Sequence, residues 1–226
     1  MFDIFRFFAV VILMCTLIFS GVPFIFLAPS LMPLAVNDAH ASDWFNSAYK
    51  YRKKLTLDAG LISGSSNLSN FPVLVSYTDA ALKTVANGGK VEEINGYDII
   101  FTDSSHTPVK LEHEIEKYTA TTGEIIMWVK IPSLSATADT DIYVYYGNVS
   151  ISSSQENATG VWDSGFAGVW HLKETSGAHV DSTSNPNDST TIAVTTQGSA
   201  TGQINGADDF ELSSSNEIDI EDHNIL

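Results

Sequence analysis

The runs VKLEHEIEKY, residues 109–118, and EIIMWVKI, residues 124–131, decide the fold. In the first, Val109, Leu111, His113 and Ile115 fall on one side of an extended chain and Lys110, Glu112, Glu114 and Glu116 on the other, because successive side chains of a strand point to opposite faces. The expected strand has one face in the core and one in water. The three glutamates around His113 read as a solvated, aggregation-resistant strand face and not as a metal patch. The second run is apolar on both faces, with Ile125, Met127, Val129 and Ile131 opposite Ile126 and Trp128, so it belongs in the middle of a sheet. With Trp128 buried there, its truncation to alanine should cost about 3–5 kcal/mol.

Working outward, YRKKLTL (51–57), FPVLVSY (71–77), YDIIFT (97–102) and DIYVYY (141–146) are further short β-rich segments, separated by Gly, Asn, Ser, Thr and Pro clusters. Such spacing predicts an all-β, antiparallel, jelly-roll-like sandwich over residues 42–148. One helical interruption is expected, with Asp79 capping a turn or two through Ala80, Ala81, Leu82 and Val85, and Asn87-Gly88-Gly89 ending it. Tyr143, Tyr145 and Tyr146 read as sheet packing, with stacking on sugar rings as the alternative.

Residues 149–159, VSISSSQENAT, have the composition of a flexible linker. A second unit is expected over 160–226, where Val161-Trp162 and Val169-Trp170 repeat a dipeptide. It reaches Leu226 after roughly a third to a half of the length of an independent sandwich, so it reads as the opening of an incomplete domain.

Residues 1–41 read as an export signal. Arg6 precedes an apolar run from Phe7 to Phe26, and Ala39-His40-Ala41 supplies the small-x-small cleavage pattern. The rival is an uncleaved anchor, since 20 mostly apolar residues are about enough to cross a bilayer; on that reading the membrane is a partner only through this segment. Pro23, Pro29 and Pro33 favour the processed form. Either way the expected location is secreted, periplasmic or cell-surface.

Cys15, the single cysteine, lies in the signal, so the mature part has neither disulfides nor thiolate metal sites and depends on a packed core. Removal of the signal leaves 10 basic and 25 acidic side chains, a net charge of −15. That balance excludes nucleic acid as a natural partner. It suits solubility outside a cell, with Ca²⁺ the one cofactor that so many carboxylates would favour. Asn-x-Ser/Thr sequons begin at Asn67, Asn148, Asn157 and Asn187 and matter only in a glycosylating host.

Tyr51-Arg52-Lys53, Asn70-Phe71-Pro72-Val73, GYDIIFTD (96–103), WVKIP (128–132) and YVYYGN (143–148) together resemble an exported bacterial family of unknown function, often named together with MotA/TolQ/ExbB proton-channel proteins. The resemblance covers about Trp44 to Asn148 and implies a fold and an exported setting. It does not imply proton conduction, which needs several membrane helices with ionisable groups inside. From Gly165 onward, Gly168-Val169-Trp170-His171-Leu172, Asp181-Ser182-Thr183 with Asn185 and Asn187, GQINGA (202–207) with Phe210, and Ile218-Asp219-Ile220 resemble the opening of a concanavalin A-like, laminin-G-like lectin or glucanase sandwich.

That second resemblance gives Glu217-Ile218-Asp219-Ile220-Glu221 its interest, because retaining β-glucanases of the class carry a Glu-x-Asp-x-Glu string. There Glu217 would be nucleophile, Glu221 acid/base, and Asp219 the group that keeps their protonation states apart. Glutamates four apart on a strand have Cα atoms about 13 Å apart and must lean together to reach the roughly 5–5.5 Å of a retaining pair. The string also comes early in its unit with no tryptophan close before it, so the chain is read as non-catalytic. In the same way DSTSNPND (181–188) reads first as Asx turn chemistry, with a Ca²⁺ site built from Asp181, Asp188, Asp208 or Asp209 as the alternative. His171 reads as a half-buried strand residue. The reading as a whole is an exported, non-catalytic surface module that binds glycan or another surface protein; a structural spacer and a truncated retaining glycoside hydrolase are the alternatives.

Overall fold

The computed structural model describes residues 43–185 and 187–220; the expected signal, Pro186 and Glu221 lie outside the described residues. Six strands build the first part: β1 (Tyr51–Leu57), β2 (Leu68–Thr78), β3 (Ile100–Asp103), β4 (His113–Thr119), β5 (Glu124–Leu134) and β6 (Thr140–Tyr146). They form two three-stranded antiparallel sheets in the orders β1-β6-β3 and β2-β5-β4. The expected all-β sandwich is thus observed, with each predicted segment contributing a strand.

The core lies between the sheets because both inner faces follow the two-residue period. Val75 from β2 and Ile125, Met127, Val129 and Ile131 from β5 meet Phe101, Ile142, Val144 and Tyr146 from β3 and β6. The helical interruption forms as two 3-10 turns, Ala80–Leu82 and Val85–Asn87. Asp79 caps the first by accepting from the Ala81 N–H at 2.9 Å, and Gly88, at φ 83°, closes the second. Asp98 is fully buried and accepts from the backbone N–H groups of Glu92, Glu93, Gly147 and Asn148, which ties the loop before β3 to the end of β6.

The run at 109–118 departs from simple alternation in two places. Val109, expected inward, is 59% exposed; Lys110 bridges Thr102 of β3 and Asp103 accepts from the Val109 N–H, so β4 begins only at His113. Further along, Ile115 stands opposite Met127 and Lys117 opposite Ile126, which leaves Glu116 as the additional residue of a β-bulge. Such an insertion resets which side chains face inward. Tyr118 returns to the core, where its hydroxyl donates to the Leu82 carbonyl at 2.7 Å, and Lys117 stays outside to pair with Glu124 at 3.0 Å.

Both outer faces of the sandwich are covered. Trp44, Phe45 and Tyr49 pack over Tyr145 on the β1-β6-β3 sheet. Residues 149–159 lie against β4 instead of spanning a gap: the Asn157 N–H donates to the His113 carbonyl, Glu156 accepts from the Ile115 N–H, and Lys110 donates to the Gln155 carbonyl. The short helix α1 (Ala158–Val161) then leads Trp162 onto the outer face of β5. Beyond it, β7 (Ser189–Ala193) pairs with β10 (Glu217–Ile220) and β8 (Thr196–Thr201) with β9 (Gly206–Asp209), two antiparallel ribbons. Among the described residues no helix is long and apolar enough to cross a membrane.

Candidate functional site

Glu114 and Glu116, expected in water, are 4% and 5% exposed. The correction follows from β5 beside them. Its outer face carries Ile126 and Trp128, which need cover, and the chain that supplies the cover also closes over the glutamates. Glu114 Oε2 accepts from the Trp162 indole Nε1 at 2.8 Å and lies 3.0 Å from His171 Nε2, while Oε1 accepts from the Ser182 hydroxyl at 2.6 Å. On the other side of the imidazole, His171 Nδ1 stands 3.0 Å from Glu116 Oε2, a charge contact that lacks hydrogen-bond alignment. Lys173 Nζ reaches the same oxygen at 3.6 Å and donates to the Ile115 carbonyl at 3.2 Å.

This cluster balances opposing forces. Burial pushes the Glu114 carboxyl up, but the hydrogen bond and charge of His171, with the Ser182 and Trp162 bonds, outweigh burial and hold it below its ordinary value. The order of groups also decides what the cluster cannot do. Nucleophilic catalysis needs the base between the hydroxyl and the carboxylate. Here the Glu114 carboxylate stands between Ser182 and His171, so the imidazole is not placed to take the serine proton.

Beside the cluster opens a pocket of about 350 Å³. Its walls are the indoles of Trp128, Trp162 and Trp170, together with His171, Glu116 and the turn Gly202–Ala207. Trp162 meets Trp128 edge-on at 5.2 Å between ring centroids. Trp170 is anchored by its Nε1 donating to the Asn187 carbonyl at 2.7 Å, and its ring folds back over Gly168, where a β-carbon would lie 2.2 Å from the indole. The turn is fastened to the sheet by Asn205 Nδ2, which donates to the Glu116 carbonyl at 3.2 Å. Its closeness to the chain requires Gly206, since a β-carbon there would lie 2.1 Å from the Gly198 carbonyl oxygen.

A second buried histidine forms a separate staple. His179 is fully buried, with Nδ1 2.8 Å from Glu174 Oε2 and Nε2 2.7 Å from Asp208 Oδ2. Burial raises the Glu174 carboxyl, yet the His179 hydrogen bond and backbone donors leave it below its ordinary value. The Ser189 hydroxyl beside it accepts from the His179 backbone N–H.

The residues singled out in the sequence fall mainly elsewhere. Asp181 accepts from the Val169 and Thr183 N–H groups and the Thr183 hydroxyl, and Asp188 accepts from the Asp181 N–H, which is the turn chemistry expected of that loop. Asp208 is engaged by His179 and by the Gly198 N–H, and Asp209 is half-buried in β9. Among the described residues no group of three or more His, Cys, Asp or Glu side chains is placed to hold a metal ion. Glu217 and Asp219 are exposed on β10, away from the tryptophan pocket. Tyr145 and Tyr146 are buried and Tyr143 lies under the Arg52 guanidinium, so all three serve packing. The sequence reading missed Glu114, Glu116 and Trp162 as partners of His171, and Lys173 as a partner of Glu116. The signal that could have found them was the double-sided apolar pattern of β5, which implied a covered outer face.

Residues 95–188 match a family described as a domain of unknown function (DUF2341). The match starts before β3 and runs through Glu114, Glu116, Trp128, Trp162, Trp170 and His171, so it spans both sides of the glutamate–histidine cluster. No curated protein and no solved structure matches the chain.

Proposed function

We propose that the chain is an exported, non-catalytic surface module that binds carbohydrate, with the tryptophan pocket as its site. The observation that carries this reading is the pocket itself, about 350 Å³ walled by three indoles beside amide and carboxylate groups. Ligand sites combine apolar, aromatic walls with a few fixed polar groups, and indoles pair a flat apolar face with a polar edge. The acidic composition and the expected signal fit an exported setting, and the likeness of residues 165 onward to lectin-type sandwiches points to the same ligand class.

The test is a titration of the purified chain with a panel of soluble mono- and oligosaccharides, read by tryptophan fluorescence and by calorimetry. Binding of at least one sugar, lost in Trp170→Ala with the circular dichroism spectrum unchanged, is the expected result. Silence across the panel from a folded chain overturns the reading.

A second reading, a structural spacer, is favoured by one observation: Glu114 gathers Trp162, His171 and Ser182 around one carboxylate, as a staple joining two halves of the chain would. A spacer would show no sugar binding and full stability without ligand.

A further inference from the structure

Resting on that carbohydrate reading, we infer that the pocket selects a single uncharged sugar ring over the matching uronate. Charge sets the first limit. Among the described residues, Glu116 and His171 are the only ionisable side chains in the pocket wall, and they face each other at 3.0 Å. Lys173 approaches Glu116 from outside the wall at 3.6 Å, and Glu114 takes the other imidazole nitrogen at 3.0 Å. The charged groups are turned onto one another, and Glu116 is almost fully buried.

A uronate entering such a pocket loses its hydration and meets the buried Glu116 carboxylate and cations already paired to it, which is costly for an ion taken out of water. Anionic sugars also meet the field of a strongly acidic chain. An uncharged ring meets none of these penalties. Its apolar face suits the indoles, and its hydroxyls suit the side-chain amides of Gln203 and Asn205, which line the same pocket.

Size supplies the second limit. At about 350 Å³ the pocket lies at the lower end of the roughly 300–1,000 Å³ range of ligand sites. Trp170 and the Gly202–Ala207 turn both bound it, and both are fixed, by the bonds to Asn187 and Glu116. One ring therefore makes most of the contact, and further rings of a glycan lie outside.

The decisive experiment compares the purified chain's affinity for methyl glycosides of neutral hexoses with that for the matching uronates, at low and at high salt. The expected result is neutral binding that is insensitive to salt, with the uronates at least tenfold weaker, and with a trisaccharide binding within a few-fold of its terminal monosaccharide. Glu116→Gln, which keeps the volume but frees Lys173 from its carboxylate, should raise uronate affinity and narrow that gap. Uronates binding as tightly as neutral sugars, or affinity climbing tenfold with each added ring, overturns the selection while leaving carbohydrate binding in place. No sugar binding at all from a folded chain overturns both. The wild-type comparison decides the matter even if the variant fails to fold.

Discussion

The two outer faces of the sandwich are closed in different ways. Over the β1-β6-β3 sheet, Trp44, Phe45 and Tyr49 surround Tyr145 with ring centroids 5.2, 6.1 and 6.2 Å away. The Arg52 guanidinium lies over the rings of Tyr143 and Trp44 at 4.5 and 4.9 Å. Over the β2-β5-β4 sheet, closure depends on two buried carboxylates, an imidazole and an ammonium, with an open pocket left beside them. Packing of rings is additive and tolerant, because each contact is small and largely independent of the others. A buried polar network is not tolerant: removal of one member leaves the rest desolvated and unpaired. The first face is built to hold, and the second is built to be specific.

The comparison predicts an ordered set of effects. Glu114→Ala should cost the most, about 3–5 kcal/mol, because Trp162, Ser182 and His171 all lose their acceptor. Urea denaturation of the full chain measures it, and a loss under about 1 kcal/mol would erase the distinction between the faces. Next comes acid. His113, on the inner side of the same strand, is fully buried, and burial pulls its pKa down to about 4. Above pH 6.5 it is neutral folded or unfolded and contributes nothing to the pH dependence. Below that, the unfolded chain takes up the proton first, so stability falls as pH drops, by about 3 kcal/mol at pH 4. Glu114, whose folded pKa is depressed, adds a further loss as pH falls through the carboxylate range. Denaturation midpoints at pH 7, 5.5 and 4 should therefore decline, and His113→Leu should flatten the part between 6.5 and 4. An unchanged slope in that variant would assign the acid sensitivity to the outer cluster alone.

The smallest effect is expected on the aromatic face. Tyr145→Phe removes a hydroxyl that accepts from the Phe45 N–H at 3.2 Å and from Arg52 at 3.1 Å, while leaving the ring packing in place. The cost should be about 1 kcal/mol. If thermal and urea melts show it exceeding the loss in Glu114→Ala, the comparison is inverted.

Most of the sandwich was readable from local pattern, since short apolar-rich segments separated by turn-forming clusters each became a strand, and the two-sided apolar pattern of β5 placed it in the middle of its sheet. Asp79 and Gly88 were likewise legible, because caps and left-handed turns are chosen by the residue that occupies them. The β-bulge was not. It shows only as the polar pair Glu116-Lys117 breaking the alternation before Tyr118, and a single break has several geometric solutions. The site was hidden for a different reason. His171 reaches Glu114 across 57 positions, and a glutamate on a strand looks the same in sequence whether water or an imidazole faces it. The polar stretch 149–159 misled for a related cause: its side chains have little to bury, but its backbone, with Glu156 and Gln155, satisfies the free edge of β4.

The strand order also has a kinetic meaning. β1 pairs with β6 and β2 with β5, so most of the sandwich is assembled from pieces far apart in the chain. Bringing distant segments together is slow, because closure entropy is lost before the contacts repay it. Among the described strands of the sandwich, β4 and β5 alone are both neighbours in sequence and partners in a sheet, joined by the short turn that follows Thr119. That hairpin is the natural starting point of folding, and it already presents Glu114, Glu116 and Trp128 on one side. The later-made half of the chain thus meets a preformed docking edge, while β1, β2 and β3, made earlier, wait for β5 and β6 to pair with.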